Sequence, residues 1–182
     1  MLPRLPPEIE PADLLVRHTS LFLESPLPGP VLDLACGEGQ NGLFLAALGL
    51  DVVFLDHSKR AMDRVRRNAF RSGLKAEFRI TDLEDAPAAA LEQDAYGGIL
   101  VFRYLHRPLI PFLQGALKSR GVLIYETFTA DQPRFGRPRN PAFLLRPGEL
   151  RGWFKGWDIV FAFEGVLSAP VRAAAQIVCR KP

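Results

Sequence analysis

The stretch VLDLACGEGQNGLFLAALGLDVVFLD, residues 31–56, decides the fold. Val31–Leu34 leans apolar and runs into a turn of small residues that holds Cys36, Gly37 and Gly39. An amphipathic segment, Gly42–Leu48, is stopped by Gly49, and a second apolar run, Val52–Leu55, ends on Asp56. Strand, glycine turn, helix and strand in that order open a parallel α/β sheet. Ligands of such sheets bind beyond the C-terminal strand ends, where glycine lets the backbone bend tightly and come close to them. Asp56 falls 17 residues after Gly39 (56 − 39), at the tip of the second strand. A carboxylate there can accept hydrogen bonds from a ribose diol, so the layout implies a nucleoside cofactor.

Gly37, Gly39 and Gly42 match G-x-G-x-x-G, the pattern that admits a pyrophosphate. Asp33 and Glu38 argue against that ligand. Two carboxylates repel a pyrophosphate but suit a molecule carrying an ammonium and a sulfonium.

Working outward, strands are predicted at Ala76–Ile80, Ile99–Phe102, Val122–Thr127, Asp158–Glu164 and Ala173–Arg180. Helices are predicted at Ala12–Glu24, Ala61–Ser72 with Ser58 as N-cap and Leu109–Leu117, and a short one, opened by Pro147-Gly148-Glu149-Leu150, runs to about Phe154. Pro3, Pro6, Pro7 and Pro11 make the first eleven residues a loose or extended arm, and SPLPGP (25–30) reads as a loop. The whole of 1–182 reads as one domain, with residues 1–30 an N-terminal arm plus amphipathic helix and 129–150 a lid loop.

DLACGEG (33–39) resembles the glycine-rich loop of class I S-adenosylmethionine-dependent methyltransferases. Asp56 resembles that family's ribose-binding acid, and Thr81-Asp82-Leu83 its adenine-contacting acid and neighbour. LKSRG (117–121) resembles the turn before its fifth strand. The resemblance covers nearly the whole chain and, within the class, is loosely to the compact tellurite-resistance group. It implies a Rossmann-like, doubly wound α/β sheet of seven strands in the order 3-2-1-4-5-7-6, the last antiparallel. It implies S-adenosyl-L-methionine as cofactor, held by Asp33, Ala35, Gly37, Gly39, Asp56, His57, Asp82, Leu83 and Phe102. One departure stands out: Gly97-Gly98 precede the fourth strand where the family often has Asp, with Asp94 the nearest acid.

Methyl transfer is an in-line displacement, so the protein's tasks are positioning, water exclusion and in some cases removal of a proton. The acceptor is expected over the tips of strands four and five. His106 is a candidate general base or a helix cap. Arg103 is an anchor for an acidic group or a surface ion pair, and Tyr104 a wall or hydrogen-bond donor. Glu126, on a central strand, either pairs with a neighbouring Arg or faces the acceptor. The segment 134–146 holds four Arg and no acid, and Arg137, Arg139 and Arg146 are candidates to bind an anionic substrate. Asn140-Pro141-Ala142-Phe143 looks like an amine-methylating signature, but it follows the wrong strand.

Net charge is +3, split as 10 Lys/Arg against 15 Asp/Glu in residues 1–100 and 13 against 5 in 101–182. That asymmetry is either a face that meets an anion or basic residues spread over a solvated surface; the acceptor expected is a small molecule, anionic or a soft nucleophile. RNA methylation and a non-catalytic, cofactor-binding partner protein stay open. No apolar run is long enough for a membrane span and no metal-ligand spacing occurs. Cys36 and Cys179 are far apart, and the chain reads as cytoplasmic, a monomer or weak homodimer with reduced thiols. Cys36 fits a packing position, with redox sensitivity the alternative.

Overall fold

A computed structural model of the chain describes residues 10–85 and 91–182. Most of the proline-rich arm, with Pro3, Pro6 and Pro7, lies outside the described residues. Strands β1 (Val31–Leu34), β2 (Val52–Asp56), β3 (Glu77–Ile80), β4 (Tyr96–Phe102), β5 (Leu117–Phe128), β6 (Asp158–Ser168) and β7 (Val171–Arg180) form a sheet of seven strands. Their order is β3-β2-β1-β4-β5-β7-β6. The first five pair in parallel, and β7 is antiparallel to both β5 and β6. This is the Rossmann-like methyltransferase topology.

Alternation along the central strands feeds two cores. Val31, Phe54, Leu100 and Ile124 face helices α1 (Asp13–Arg17), α2 (Ser20–Leu23), α3 (Gln40–Ala47) and α4 (Lys59–Arg71), meeting Leu14, Phe22, Leu43 and Val65. Leu32, Leu55, Ile99 and Leu123 share the other core with Ile110 and Leu113 of α5 (Ile110–Ala116) and Leu150 of α6 (Glu149–Trp153). Ser58 caps α4 as expected, its hydroxyl accepting from Ala61 N–H at 3.2 Å.

The expected N-terminal helix is two short ones. The Thr19 hydroxyl donates to Leu15 O at 2.9 Å and Val16 O at 3.0 Å, taking carbonyls the helix would use. The expected turn at 117–121 is the irregular start of β5: Tyr96 pairs with Leu117 and Gly98 with Val122. Arg120 there has φ 66°, and its N–H bonds Lys181 O at 2.8 Å. Gly97 has a steric reason to lack a side chain, since a Cβ would lie 2.5 Å from Gly29 O in the loop entering β1.

Candidate active site

The C-terminal tips of β1, β2 and β4 surround a recess in two lobes. Asp33, Cys36, Gly37, Glu38, Gln40 and Asn41 line one lobe; Asp56, His57, Thr81, Asp82, Leu83, Glu84 and Tyr104 line the other. Ala35, Phe102 and Arg103 line both. Every residue expected at the cofactor is therefore in or beside one concavity. Gly39 sits just behind it, with Val65 side-chain atoms 2.8 Å from where its Cβ would be.

The acids hold the glycine turn. Asp33 Oδ2 accepts from Gly42 N–H at 2.8 Å, Asp56 Oδ2 from Gly37 N–H at 2.8 Å, and Asp56 Oδ1 from Ser58 N–H at 2.8 Å. Burial pushes the Asp33 carboxyl up to about 7; the Gly42 N–H opposes this and nearby Asp56 adds to it. Gly37 has φ 54°, and nothing lies within 4 Å of where its Cβ would be, so the turn leaves room above it. Gly42 is the reverse case: a Cβ would come within 2.4 Å of Phe54. Glu38, on the rim of the first lobe, pairs with Arg64 of α4. His57 is exposed, with Nδ1 3.5 Å from Asp56 Oδ1. Asp82 Oδ1 accepts from Glu84 N–H at 2.9 Å, closing a tight turn after β3. Burial, then Asp33 and Asp56, drive the Cys36 thiol well above its ordinary range, which argues against a reactive thiolate.

Two non-glycine residues at the strand tips, Ala35 (φ 51°) and Arg103 (φ 57°), adopt the left-handed conformation. Such strain gathers where structure serves a site. Arg103 N–H donates to Glu126 O at 2.8 Å, while its exposed guanidinium makes no ion pair among the described residues.

A second cleft of about 480 Å³ adjoins the recess and shares Gln40, Asn41, Phe102 and Arg103 with it. Its other walls include Glu10, Asp13, Glu126, Gln132 and Arg172. Glu126 is buried and paired on both oxygens, by Arg172 Nη2 at 2.9 Å and Gln176 Nε2 at 2.5 Å. Its arginine comes from β7 rather than from the loops at the fourth and fifth strands. Gln132 Oε1 accepts from Ala173 N–H at 2.9 Å. Sequence reasoning missed Arg172, Gln132 and Gln176. Gln176 alone left a signal, as a polar residue inside the apolar run AAAQIVC (173–179).

The other candidates separate. Tyr104 lies on the cofactor side, where its buried Oη has no hydrogen-bond partner, and burial raises its phenol above the ordinary range. His106 stands at the N-cap of the 3₁₀ turn Arg107–Leu109 without capping it; its Nε2 is buried and also unpartnered. Arg139 and Arg146 line a different hollow of about 430 Å³ with Arg107, and Arg137 is exposed on the loop between. Glu149 holds Arg107 through Nε at 2.7 Å and Nη2 at 2.8 Å.

Residues 31–119 match the family model described as "Methyltransferase domain". "Ubiquinone biosynthesis O-methyltransferase" of Methylocella silvestris is 34% identical over 82% of this chain and 71% of its own length. "Probable S-adenosyl-L-methionine-dependent methyltransferase TehB" of Haemophilus influenzae is 28% identical over 73% of this chain and 47% of its own, so the chain spans about half the length of that relative. The crystal structure of TehB from Haemophilus influenzae superposes with a TM-score of 0.74 at 22% identity, over 93% of this chain and 62% of that one. The chain belongs to the class I S-adenosylmethionine-dependent methyltransferases.

The recess fits the cofactor of that family. Open space above Gly37, carboxylates from Asp33, Asp56 and Asp82 in one concavity, and the unpartnered Tyr104 Oη answer a cationic, polar nucleoside. No helix among the described residues is long and apolar enough to cross a membrane.

Proposed function

We propose that the chain catalyses methyl transfer from S-adenosylmethionine to a small polar acceptor, bearing one anionic or soft nucleophilic group, that enters the cleft beside β4 and β5. When bound, the cofactor supplies an electrophilic methyl carbon on a sulfonium. Asp33, Gly37, Asp56, Asp82 and Leu83 would hold it, with Ala35, His57 and Phe102 as flanking walls. The observation that carries the reading is continuity: Phe102 and Arg103 are shared by the cofactor recess and the cleft, so an acceptor in the cleft has access to the recess.

Arg103, with a guanidinium that makes no ion pair among the described residues, orients the acceptor's anionic or electron-rich group. Glu126 has both oxygens engaged by Arg172 and Gln176, so it anchors and shapes the wall rather than taking a proton freely. Tyr104 serves as a neutral hydroxyl, because burial disfavours the phenolate. In the cleft Glu10, Asp13 and Glu126 outnumber Arg172 and Arg103, which favours a small polar molecule over a polyanion as acceptor.

The test follows labelled methyl from S-adenosylmethionine into a panel of thiols, phenols, carboxylates and chalcogen oxyanions, with total RNA as a parallel acceptor. Turnover of a small acceptor is expected, with Arg103→Gln raising KM more than it lowers kcat. Label incorporated into RNA alone would overturn the small-acceptor reading. Cofactor binding with no transfer to any acceptor would favour a non-catalytic partner protein.

A further inference from the structure

Helix α4 carries Lys59, Arg60, Arg64, Arg66, Arg67 and Arg71 against one acid, Asp63, inside a half of the chain that is net acidic. At 3.6 residues per turn, Arg60, Arg64, Arg67 and Arg71 fall in one stripe roughly 60° wide and about 16 Å long. Arg64 reaches Glu38, and Arg66 lies over the Phe78 ring at 5.5 Å. Arg60, Arg67 and Arg71 are exposed and make no ion pair among the described residues. Beside them Phe70 is 87% exposed, the largest exposure of any large apolar side chain described. Its neighbours Met62, Val65 and Ala69 face the core, so packing does not account for Phe70.

We infer that the outer face of α4 is a docking surface for a single strand of nucleic acid, its phosphates on the arginine row and a base on Phe70. Five of the six cations are arginine, whose planar fork matches phosphate. A straight, rigid row suits a linear polyanion, and an aromatic face beside a backbone groove is how single strands are held without sequence preference. A bilayer is the poorer match, because α4's apolar face is buried in the core and one side chain would remain to enter the lipid. The surface lies on the β2–β3 side of the sheet, whereas the acceptor cleft lies beside β4 and β5, so it is an anchoring site separate from the acceptor site.

The experiment titrates the full chain into a labelled 20-nucleotide uridine homopolymer by anisotropy at several salt concentrations, with phosphatidylserine vesicles in parallel. A slope of log K against log salt of about −3 is expected for four phosphate contacts on a single strand. Arg60→Gln/Arg67→Gln/Arg71→Gln should flatten it by about 2. Phe70→Ala should weaken binding by roughly 5- to 100-fold at unchanged slope. Arg137→Gln/Arg139→Gln/Arg146→Gln, which removes the same charge elsewhere, should leave the slope alone. Calorimetric S-adenosylmethionine affinity serves as the folding control for each variant. The proposal fails if the homopolymer does not bind at low salt, if both triple variants flatten the slope equally, or if vesicles bind and the homopolymer does not.

Discussion

Asp33 is a buried carboxylate at the edge of the recess. Its single protein donor, Gly42 N–H, does not offset burial, so the folded carboxyl titrates near 7 rather than at the ordinary carboxyl value of 3.8. The folded state therefore binds the proton more tightly than the unfolded state. Stability from this group is fully present below about 4 and is lost as pH rises to about 7. Asp33→Asn should flatten that part of a urea-denaturation profile taken from pH 4.5 to 8. A cofactor bearing an ammonium and a sulfonium favours the ionised carboxylate. Its affinity should thus rise from pH 6 to 8 in the wild type and be level in Asp33→Asn. Calorimetry in two buffers of different ionisation enthalpy should show proton release near pH 7, and its absence would remove Asp33 from the site. Asp56 does two jobs that one substitution would mix. Asp56→Ala frees the Gly37 and Ser58 N–H groups as well as losing ligand contacts, so cofactor binding should weaken by about 1–3 kcal/mol with some loss of Tm.

The element that carries the site is the β1 turn and the first turn of α3, where the glycines have different reasons. Gly37 meets open space, so Gly37→Ala adds conformational strain and intrudes on the recess. Gly42→Ala instead drives a methyl to within 2.4 Å of Phe54 and 2.8 Å of Asp33 Oδ2. Gly42→Ala is expected to cost about 1–3 kcal/mol of stability. Gly37→Ala should cost less stability and more cofactor affinity. Paired urea and calorimetry measurements decide this, and equal losses in both variants would contradict it. The glycines and acids were legible because each answers to a local constraint of the turn. The division of labour among the glycines was not, since Phe54 sits on the next strand.

At the scale of the molecule, Glu126 ties β5 to β7 across 46 residues through Arg172 and 50 through Gln176. A buried ion pair is costly to break from one side, because the remaining charge has lost its partner. Arg172→Leu should destabilise by about 3 kcal/mol, and adding Glu126→Gln should restore much of it. A double variant no more stable than the single would show that Arg172 acts independently. The same tie sets one wall of the proposed acceptor cleft, so the antiparallel edge of the sheet shapes that cleft as well as closing the core.

Sequence by itself determined the strands, the glycine turn and the strand-tip acids, because apolar periodicity, glycine placement and an acid at a strand end are properties of neighbouring residues; the strand order came from the family resemblance those motifs carry. Tertiary structure alone decided which polar groups meet. Arg172 and Gln176 reach Glu126 only because β7 runs antiparallel beside β5, in a register no local spacing records. Likewise Arg139 and Arg146 share a hollow with Arg107 rather than with Arg103, because the chain returns from Thr129 to Leu145 and folds residues 130–144 to one side. Contacts between residues far apart in the chain depend on how the loop backbone closes and where its polar groups find partners, and only the folded chain fixes that.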